Sequence, residues 1–289
     1  MGYAEGVRAY QHAASSLTPA DLTDHYTAGM DWLREVFAPR LKDRLAALSG
    51  GVWDLSDYAV WAAGADTDFM THLLEAVSAR EEVALYPGDW YGFLVGGTWD
   101  ERFVWTREAA GRVAAICVPS VRNGHLTGQM AEFLEGSSAC LLNINLYPTL
   151  SAPERAAVAE RLRPVLKKSV LSVSFSRGFG LTASQLGVVL VHRDHPWNQR
   201  FARQWGWSTY FHNALAAKAF LALDPAALAR VDDERRTWVR EQLLSSGLPA
   251  VDTGSYYVRS FRPVGDVPEV LKPLHRGDFV RFCFKPPQV

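Results

Sequence analysis

Cysteine and lysine are both scarce in this chain of 289 residues, which has three cysteines and six lysines. The cysteines, Cys117, Cys140 and Cys283, are odd in number, widely spaced and set in apolar segments. This pattern argues against a disulfide framework or a zinc knot and predicts buried thiols in a reducing compartment. The 24 arginines outnumber the lysines, so a reactive amine has few places to be.

An excess of charge of either sign is also lacking, because 30 basic and 31 acidic residues leave a net charge of -1. Without a basic field, nucleic acid is not expected as a partner. The longest apolar runs, such as residues 186–191, fall short of the roughly 20 residues that span a bilayer, and the first ten residues contain no apolar signal core. We therefore expect a cytoplasmic protein with no membrane partner.

Short apolar runs alternate with helical patterns over the first two thirds of the chain. Because the runs are hydrophobic throughout, they predict strands buried on both faces of a mostly parallel sheet, and the predicted class is α/β. The segment from Ser151 to Glu154 has capping-box spacing and opens a predicted helix that extends to Lys168. The predicted strands cover residues 58–63, 83–86, 113–118, 140–143, 170–175 and 186–192.

The pattern of predicted helices and strands divides the chain into three parts. Residues 1–50 are predicted to form an N-terminal helical segment, and residues 51–224 a large α/β domain flanked by helices. Two long helices are expected over 197–223 and 225–246. The helix break at Asp224-Pro225 suggests a boundary before a small C-terminal subdomain, residues 225–289, which has predicted strands at 255–261 and 279–284.

One segment carries a family resemblance: residues 172–187 read SVSFSRGFGLTASQLG between two predicted strands. This resembles the cofactor-lysine segment of the fold type I pyridoxal-phosphate enzymes, the aminotransferase superfamily, whose pattern is Ser-x-Ser-Lys, then Gly-Leu, then Arg-x-Gly. Four further segments resemble the family in the order expected along the chain. Gly64-Ala65-Asp66-Thr67 resembles its phosphate-binding turn, and residues 87–93, which include Trp90, resemble the segment that stacks on the cofactor ring. Pro148-Thr149 resembles its Asn-Pro-Thr-Gly turn, and residues 280–284 resemble the strand whose arginine, here Arg281, binds a substrate carboxylate. The resemblance covers about residues 55–289 and implies a homodimer.

Four departures from the family pattern bear on the cofactor. Arg177 stands where the resemblance puts the Schiff-base lysine, and a guanidinium stays protonated, so it cannot be the nucleophilic amine. Gln185 replaces the phosphate-binding arginine, and Tyr147 replaces the asparagine of the turn. The chain between Lys168 and Val170 is too short for the usual intervening strand bearing the aspartate that protonates the ring nitrogen. We therefore expect no bound cofactor, while pyridoxal or pyridoxamine phosphate stays an alternative.

Each candidate site residue has a structural alternative. Arg177 is either a cation at the reaction centre or the remnant of a lost site, paired with an acidic residue. Tyr147 is either a catalytic acid, base or hydrogen-bond donor, or a tyrosine that is only packed in the core. Arg281 binds a carboxylate or forms a surface ion pair. The remaining candidates are Ser174, Ser176, Gln185 and Trp90 for substrate, with Trp90 alternatively a core residue, and Gly64, Ala65, Asp66 and Thr67 as an anion-binding turn or a plain N-cap.

Three functional hypotheses follow from these residues. The first is an enzyme of specialised amino-acid metabolism or biosynthesis that acts on a small amino-acid-like or carboxylate substrate. The second is a catalytically silent subunit that binds a ligand or a partner. The third is an ordinary enzyme of the family that uses an unexpected lysine or none.

Two histidines, His192 and His195, are predicted to form a solvated turn rather than a metal site.

Overall fold

The computed structural model describes residues 4–19, 21, 31–62, 73–74, 76–89, 102–181, 187–205, 210–246, 250–251, 255–276 and 278–283. Seven strands form the main sheet, and four form a smaller one. The main-sheet strands are β1 (Tyr58–Ala62), β2 (Val83–Leu85), β3 (Phe103–Trp105), β4 (Val113–Cys117), β5 (Ala139–Asn143), β6 (Ser169–Ser174) and β7 (Gly187–His192). The small-sheet strands are β8 (Ala250–Val251), β9 (Val258–Phe261), β10 (His275–Arg276) and β11 (Phe279–Cys283).

The main sheet has the order β1-β7-β6-β5-β4-β2-β3. Strands β2 to β6 pair in parallel, whereas β7 pairs antiparallel with both β6 and β1. Residues of β4, β5, β6 and β7 are buried along their whole length, as continuous apolar runs require. The predicted mostly parallel α/β sheet is therefore confirmed, and its six predicted strands match β1, β2 and β4 to β7.

Helices cover both faces of the main sheet. They are α1 (Ala4–Ser15), α2 (Ala38–Leu48), α3 (Gly128–Glu135), α4 (Ala152–Leu162), α5 (Asn198–Trp205), α6 (Tyr210–Ala222) and α7 (Pro225–Ser246), with a π-helical turn at Leu33–Phe37 before α2. Helix α4 opens with the predicted capping box, in which Glu154 accepts hydrogen bonds from the backbone N–H and hydroxyl of Ser151. None of the described helices is long and apolar enough to cross a membrane.

Two hydrophobic cores lie on opposite faces of the main sheet. One face packs against α1, α2, α4 and α6 through residues such as Phe37, Leu142 and Phe220. The other face carries Cys117 and Val170 and packs against the small sheet. The side chains of a buried strand alternate between these two cores, because successive residues point to opposite faces.

The small sheet is antiparallel throughout, in the order β10-β11-β9-β8. It follows α7, which begins at Pro225, where the sequence predicts the start of the small subdomain. Tyr256, at 0% exposure, lies just before β9, and its hydroxyl donates to Asp232 of α7 at 2.6 Å. A small C-terminal unit is therefore present, while the exact domain boundaries stay a prediction.

Candidate functional site

The carboxyl ends of β4, β5 and β6 lie side by side, because the three strands are parallel neighbours. In open α/β sheets ligands bind at this edge, where loops leave the strands. Three segments leave the sheet here: the turn after Cys117, the turn after Asn143 and the loop after Ser174. They form the frame of the candidate site.

Arg177 lies in the loop after β6 and is exposed to solvent. The loop is held at its start, where the Ser174 backbone N–H donates to Oδ1 of Asn145 at 2.6 Å. The hydroxyls of Ser174 and Ser176 lie 2.9 Å apart. At its end, the Leu181 N–H returns to the carbonyl of Phe175 at 3.0 Å. The backbone of the loop is thereby fixed while the guanidinium is left accessible to a ligand.

Aromatic packing fixes the same loop from below. Phe175 stacks on Phe220 of α6 with ring centroids 4.5 Å apart, and Phe179 meets the same ring edge-on at 5.0 Å. Phe37 joins the cluster at 6.0 Å from Phe175. Such pairs stabilise by about 1 kcal/mol beyond the area that they bury. The cluster makes the position of Arg177 depend on α6 and the N-terminal helical segment.

The turn after β4 is organised by a buried carboxylate that the sequence analysis did not single out. Asp89 is 1% exposed and accepts hydrogen bonds from the Cys117 N–H at 2.8 Å, the Ser120 hydroxyl at 2.6 Å and the Val121 N–H at 3.2 Å. The Ser120 hydroxyl in turn accepts from the N–H of Arg122 at 3.2 Å. This network presents Arg122, also missed, at the carboxyl edge.

Arg281 lies on β11, directly opposite Ser260 of β9, and is 7% exposed. The hydroxyl of Ser260 donates to the carbonyl of Arg122 at 2.6 Å. Since paired residues point to the same face of a sheet, Arg281 lies on the face that packs against the turn after β4. The small sheet therefore brings Arg281 to the carboxyl edge, as the predicted substrate role requires, although that role itself stays a prediction.

Tyr147 lies in a short 3-10 turn after β5 and is completely buried. Its ring stacks on Trp53 with centroids 4.7 Å apart, and its hydroxyl donates to the carbonyl of Arg155 at 3.0 Å. Burial raises the pKa of the Tyr147 phenol well above its usual range. These are the contacts of a packed tyrosine, which favours the structural alternative, and a catalytic role stays a prediction.

Several candidate residues lie outside the described part of the chain: Gly64, Ala65, Asp66, Thr67, Trp90 and Gln185. Their proposed roles as an anion-binding turn, a pocket wall and a substrate contact stay predictions. The described edge thus contains Ser174, Ser176, Arg177 and Arg281, together with Asp89 and Arg122.

Five of the six lysines lie in the described part of the chain. Each of them forms a hydrogen bond or an ion pair away from the carboxyl edge, or lies at the amino edge of the sheet. Lys42 donates to the carbonyls of Ser56 at 2.9 Å and Tyr58 at 3.3 Å, beside the start of β1. Of the other four, two precede β6 at the opposite edge of the sheet and two form ion pairs elsewhere. Lys167 and Lys168 directly precede β6, and Lys168 donates to the carbonyls of Glu135 and Ser137. Lys218 pairs with Asp21 at 2.8 Å, and Lys272 pairs with Glu269 at 2.5 Å.

His192 ends β7, which is antiparallel to β6 and so ends at the amino edge, and His195 lies three residues later. The two histidines are 7% and 6% exposed, so the predicted solvated turn is wrong for these side chains. His195 contacts the carbonyl of Lys168 through Nε2 at 3.3 Å, and its Nδ1 accepts from the Trp197 N–H at 3.1 Å. Burial lowers the pKa of His195, which favours the neutral ring that these two contacts need. Within the described residues no group of His, Cys, Asp or Glu is arranged to hold a metal ion.

The sequence matches no protein-family model and no curated sequence. Solved structures, however, are similar over almost the whole chain. L,L-diaminopimelate aminotransferase from Chlamydomonas reinhardtii superposes with a TM-score of 0.68 and 14% identity, covering 98% of this chain and 83% of that chain. The chain has the fold of the type I aminotransferases.

Two further structures agree with this assignment of the fold. Aspartate aminotransferase from Thermotoga maritima has a TM-score of 0.61 and 14% identity over 98% of this chain and 84% of that chain. Histidinol-phosphate aminotransferase from Sinorhizobium meliloti, in complex with pyridoxal 5'-phosphate, has a TM-score of 0.58 and 16% identity over 90% of this chain and 72% of that chain. At these identities the likeness concerns the fold alone.

The described residues do not fit a covalently held pyridoxal phosphate. The loop after β6 carries an arginine, and a guanidinium does not form a Schiff base at working pH. The neighbouring strand β5 ends in Asn143 rather than in a carboxylate. The carboxylate of Asp89 is already bonded to three donors of the turn after β4. The described part of the loop after β6 therefore offers no amine for a Schiff base.

Proposed function

We propose that the protein is an aminotransferase-fold enzyme that has lost the cofactor lysine and acts on a small, carboxylate-bearing, amino-acid-like substrate. The observation that carries the proposal is the contrast between Arg177 and the lysines. Arg177 lies in the loop at the carboxyl edge, whereas the described lysines are paired elsewhere or lie at the opposite edge. A fixed cation therefore takes the position where the resemblance expects an amine.

In this proposal Arg281 holds the carboxylate of the substrate. A buried guanidinium offers a planar fork of donors that matches both carboxylate oxygens, and exclusion of water strengthens the pair. Arg177, exposed in the loop after β6, stabilises negative charge that develops on the substrate during the reaction. The hydroxyls of Ser174 and Ser176, 2.9 Å apart, add polar contacts beside it.

The order of the strands supports a revised alignment with the family. We infer that β5 is the intervening strand, since it lies between β4 and β6 both along the chain and in the sheet. The family turn then corresponds to residues 118–124 after β4 rather than to Pro148-Thr149. Under this alignment no strand is missing, and Asn143 takes the place of the aspartate at the end of β5. An amide is a weaker partner than a carboxylate for a protonated pyridine nitrogen, which also favours cofactor independence.

The proposal is tested by treating the purified protein with pyridoxal phosphate, recording its visible spectrum, reducing with borohydride and measuring the intact mass. We expect a colourless protein and no adduct, because no described lysine lies in the loop after β6. A covalent adduct mapped to any lysine of the chain would overturn cofactor independence and restore an ordinary enzyme of this fold.

The catalytic role of Arg177 is tested separately, by turnover on a panel of amino acids and small carboxylates. Arg177→Ala should retain the fold and lose turnover, whereas Arg193→Ala should retain both. Arg193 is a matched control because it also follows a strand and is 65% exposed, but it lies at the amino edge beside Asp57. Equal rates in the two variants would contradict the role of Arg177.

We also propose that the protein forms a homodimer, as the resemblance implies. Light scattering should then give twice the mass of 32.1 kDa for one chain. A chain that binds carboxylates, shows no turnover alone and co-purifies with an active relative would instead support the alternative of a silent subunit.

A further inference from the structure

A second buried arginine lies beside Arg281 at the seam between the two sheets. The side chain of Arg122 is 9% exposed, and its guanidinium lies 4.6 Å from the centre of the Phe279 ring. Phe279 and Arg281 are two residues apart on β11, so they point to the same face about 7 Å apart along the strand. Arg122 and Arg281 therefore share one face of the small sheet.

The hydrogen bonds of Arg122 are incomplete. Its Nη2 donates to Oδ2 of Asp278 at 2.6 Å, whereas its buried Nε–H has no hydrogen-bond partner among the described residues. A buried donor without an acceptor is destabilising, and more so when the group is charged. An acceptor that arrives with a ligand would remove this cost.

The charges around Phe279 favour an anion. The guanidinium of Arg262 lies 5.5 Å from the centre of the Phe279 ring, and Arg281 lies two residues after Phe279 on β11. The acid that is paired with this cluster is Asp278, which is 58% exposed and also lies 3.7 Å from Arg107. At the ring itself, the two guanidinium groups of Arg122 and Arg262 thus outnumber the one carboxylate of this ion pair.

We propose that Arg122 is a specificity-determining residue that binds a second anionic group of the substrate, about one side-chain length away from the carboxylate on Arg281. The inference rests on the proposed function, because it takes Arg281 as the site of the first carboxylate. Its substrate class is a small acid with two anionic groups, either a dicarboxylate or a carboxylate with a phosphate-like group. Asp278 competes with that second group for the guanidinium.

The test compares three probes of similar length by isothermal titration calorimetry at low ionic strength: valerate, glutarate and 3-phosphonopropionate. Glutarate or 3-phosphonopropionate should bind at least about tenfold more tightly than valerate, as one charge-assisted bond to a buried arginine predicts. The better of the two identifies the second group as carboxylate or phosphate-like. Arg122→Leu should abolish this preference and leave the affinity for valerate unchanged.

Two further variants keep the test independent of the folding of Arg122→Leu. Asp278→Asn removes the competing acid from an exposed position and should tighten binding of the dianions but not of valerate. Arg107→Leu, the matched control, removes an exposed arginine that is 3.7 Å from the same acid and should change neither affinity ratio by more than about twofold.

The outcomes separate this inference from the proposed function. If Arg281→Leu abolishes binding of all three probes while Arg122→Leu and Asp278→Asn leave their ratios unchanged, Arg122 is only structural and the second anionic group is excluded. If Arg281→Leu has no effect on any probe, the proposed carboxylate site itself is wrong.

Discussion

At the scale of single residues, Gly178 sets how closely two loops of the carboxyl edge approach each other. A Cβ at this position would lie 2.6 Å from the carbonyl oxygen of Asn145 and 2.8 Å from Cγ of Pro148. Both contacts are shorter than van der Waals distance, and neither partner is the end of a flexible side chain. The residue after Arg177 is therefore required to be small so that the loops after β5 and β6 can touch.

Gly178→Ala is expected to lower the free energy of unfolding by about 1–3 kcal/mol, because the loops must separate to admit the methyl group. Urea denaturation followed by tryptophan fluorescence measures the change. Gly128→Ala is the matched control, since no atom lies within 4 Å of its Cβ and it opens helix α3, where alanine is at least as favourable. Equal stability of the two variants would show that the loops do not touch as described.

The sequence could predict part of the site because chemistry-bearing residues followed predicted strands. Arg177 and Arg281 were predicted from the segments that contain them, and their roles stay predictions; Arg177 lies in the loop after β6 and Arg281 on β11. Arg122 carried a usable signal as well, since residues 118–124 contain Pro, Ser, Asn and Gly directly after a buried run. Arg122 was not singled out, because the resemblance was aligned with Pro148-Thr149, after the next strand.

At the scale of secondary-structure elements, Asp89 joins the end of β2 to the end of β4. The chain after β2 places this carboxylate under the turn that leaves β4, where it accepts one hydroxyl and two backbone hydrogen bonds. Strands β2 and β4 also pair in parallel, so the carboxylate continues their connection beyond the last ladder bond. The turn that carries Arg122 is stabilised in this way.

Asp89→Asn is expected to lower the free energy of unfolding by about 1–3 kcal/mol, because the amide loses one acceptor and places N–H groups against N–H and O–H donors. Asp57→Asn provides the control: its side chain is 67% exposed, 3.9 Å from Arg193, and its loss should cost about 0.5 kcal/mol or less. Because both variants replace an aspartate by an asparagine, the difference between their free energies of unfolding, measured by urea denaturation, reports on the environment of the two carboxylates. A loss in Asp89→Asn no larger than in the control would contradict a role in the turn.

At the scale of the whole molecule, the class of the fold was predictable and the order of its strands was not. Continuous apolar runs separated by helices fix a mostly parallel sheet, because such strands must be covered on both faces. Strand β3 was missed since only its three residues, Phe103–Trp105, pair at the edge of the sheet and none is fully buried. The antiparallel pairing of β1 with β7 joins residues more than 120 positions apart, which no local pattern encodes.

The two sheets share one core and several polar contacts across their seam. Val258 and Tyr256 belong to the same buried cluster as Cys117 of the main sheet. Arg236 of α7 donates to the carbonyl of Thr149 at 2.6 Å, so the helix before the small sheet is also attached to the turn after β5. Because the shared cluster is buried, neither sheet can unfold without exposing apolar surface of the other.

We therefore expect both sheets to unfold in one transition. Tryptophan fluorescence reports on the main sheet and its helices, since residues 247–289 contain no tryptophan, and hydrogen exchange of β9 peptides reports on the small sheet. Their urea midpoints should coincide in the wild type. They should fall together in Tyr256→Phe, which removes the buried hydroxyl that donates to Asp232 at 2.6 Å.

Tyr257→Phe is the neighbouring control for this last prediction. The Tyr257 hydroxyl is buried with no hydrogen-bond partner among the described residues, so its removal breaks no bond and should leave both midpoints unchanged or slightly raised. In Tyr256→Phe the lost bond to a carboxylate should cost about 1.5–3 kcal/mol. Loss of β9 protection at a lower urea concentration than the fluorescence change would mean that the small sheet unfolds independently. The small sheet would then be no rigid support for Arg281, and the geometry proposed for carboxylate binding would fail with it.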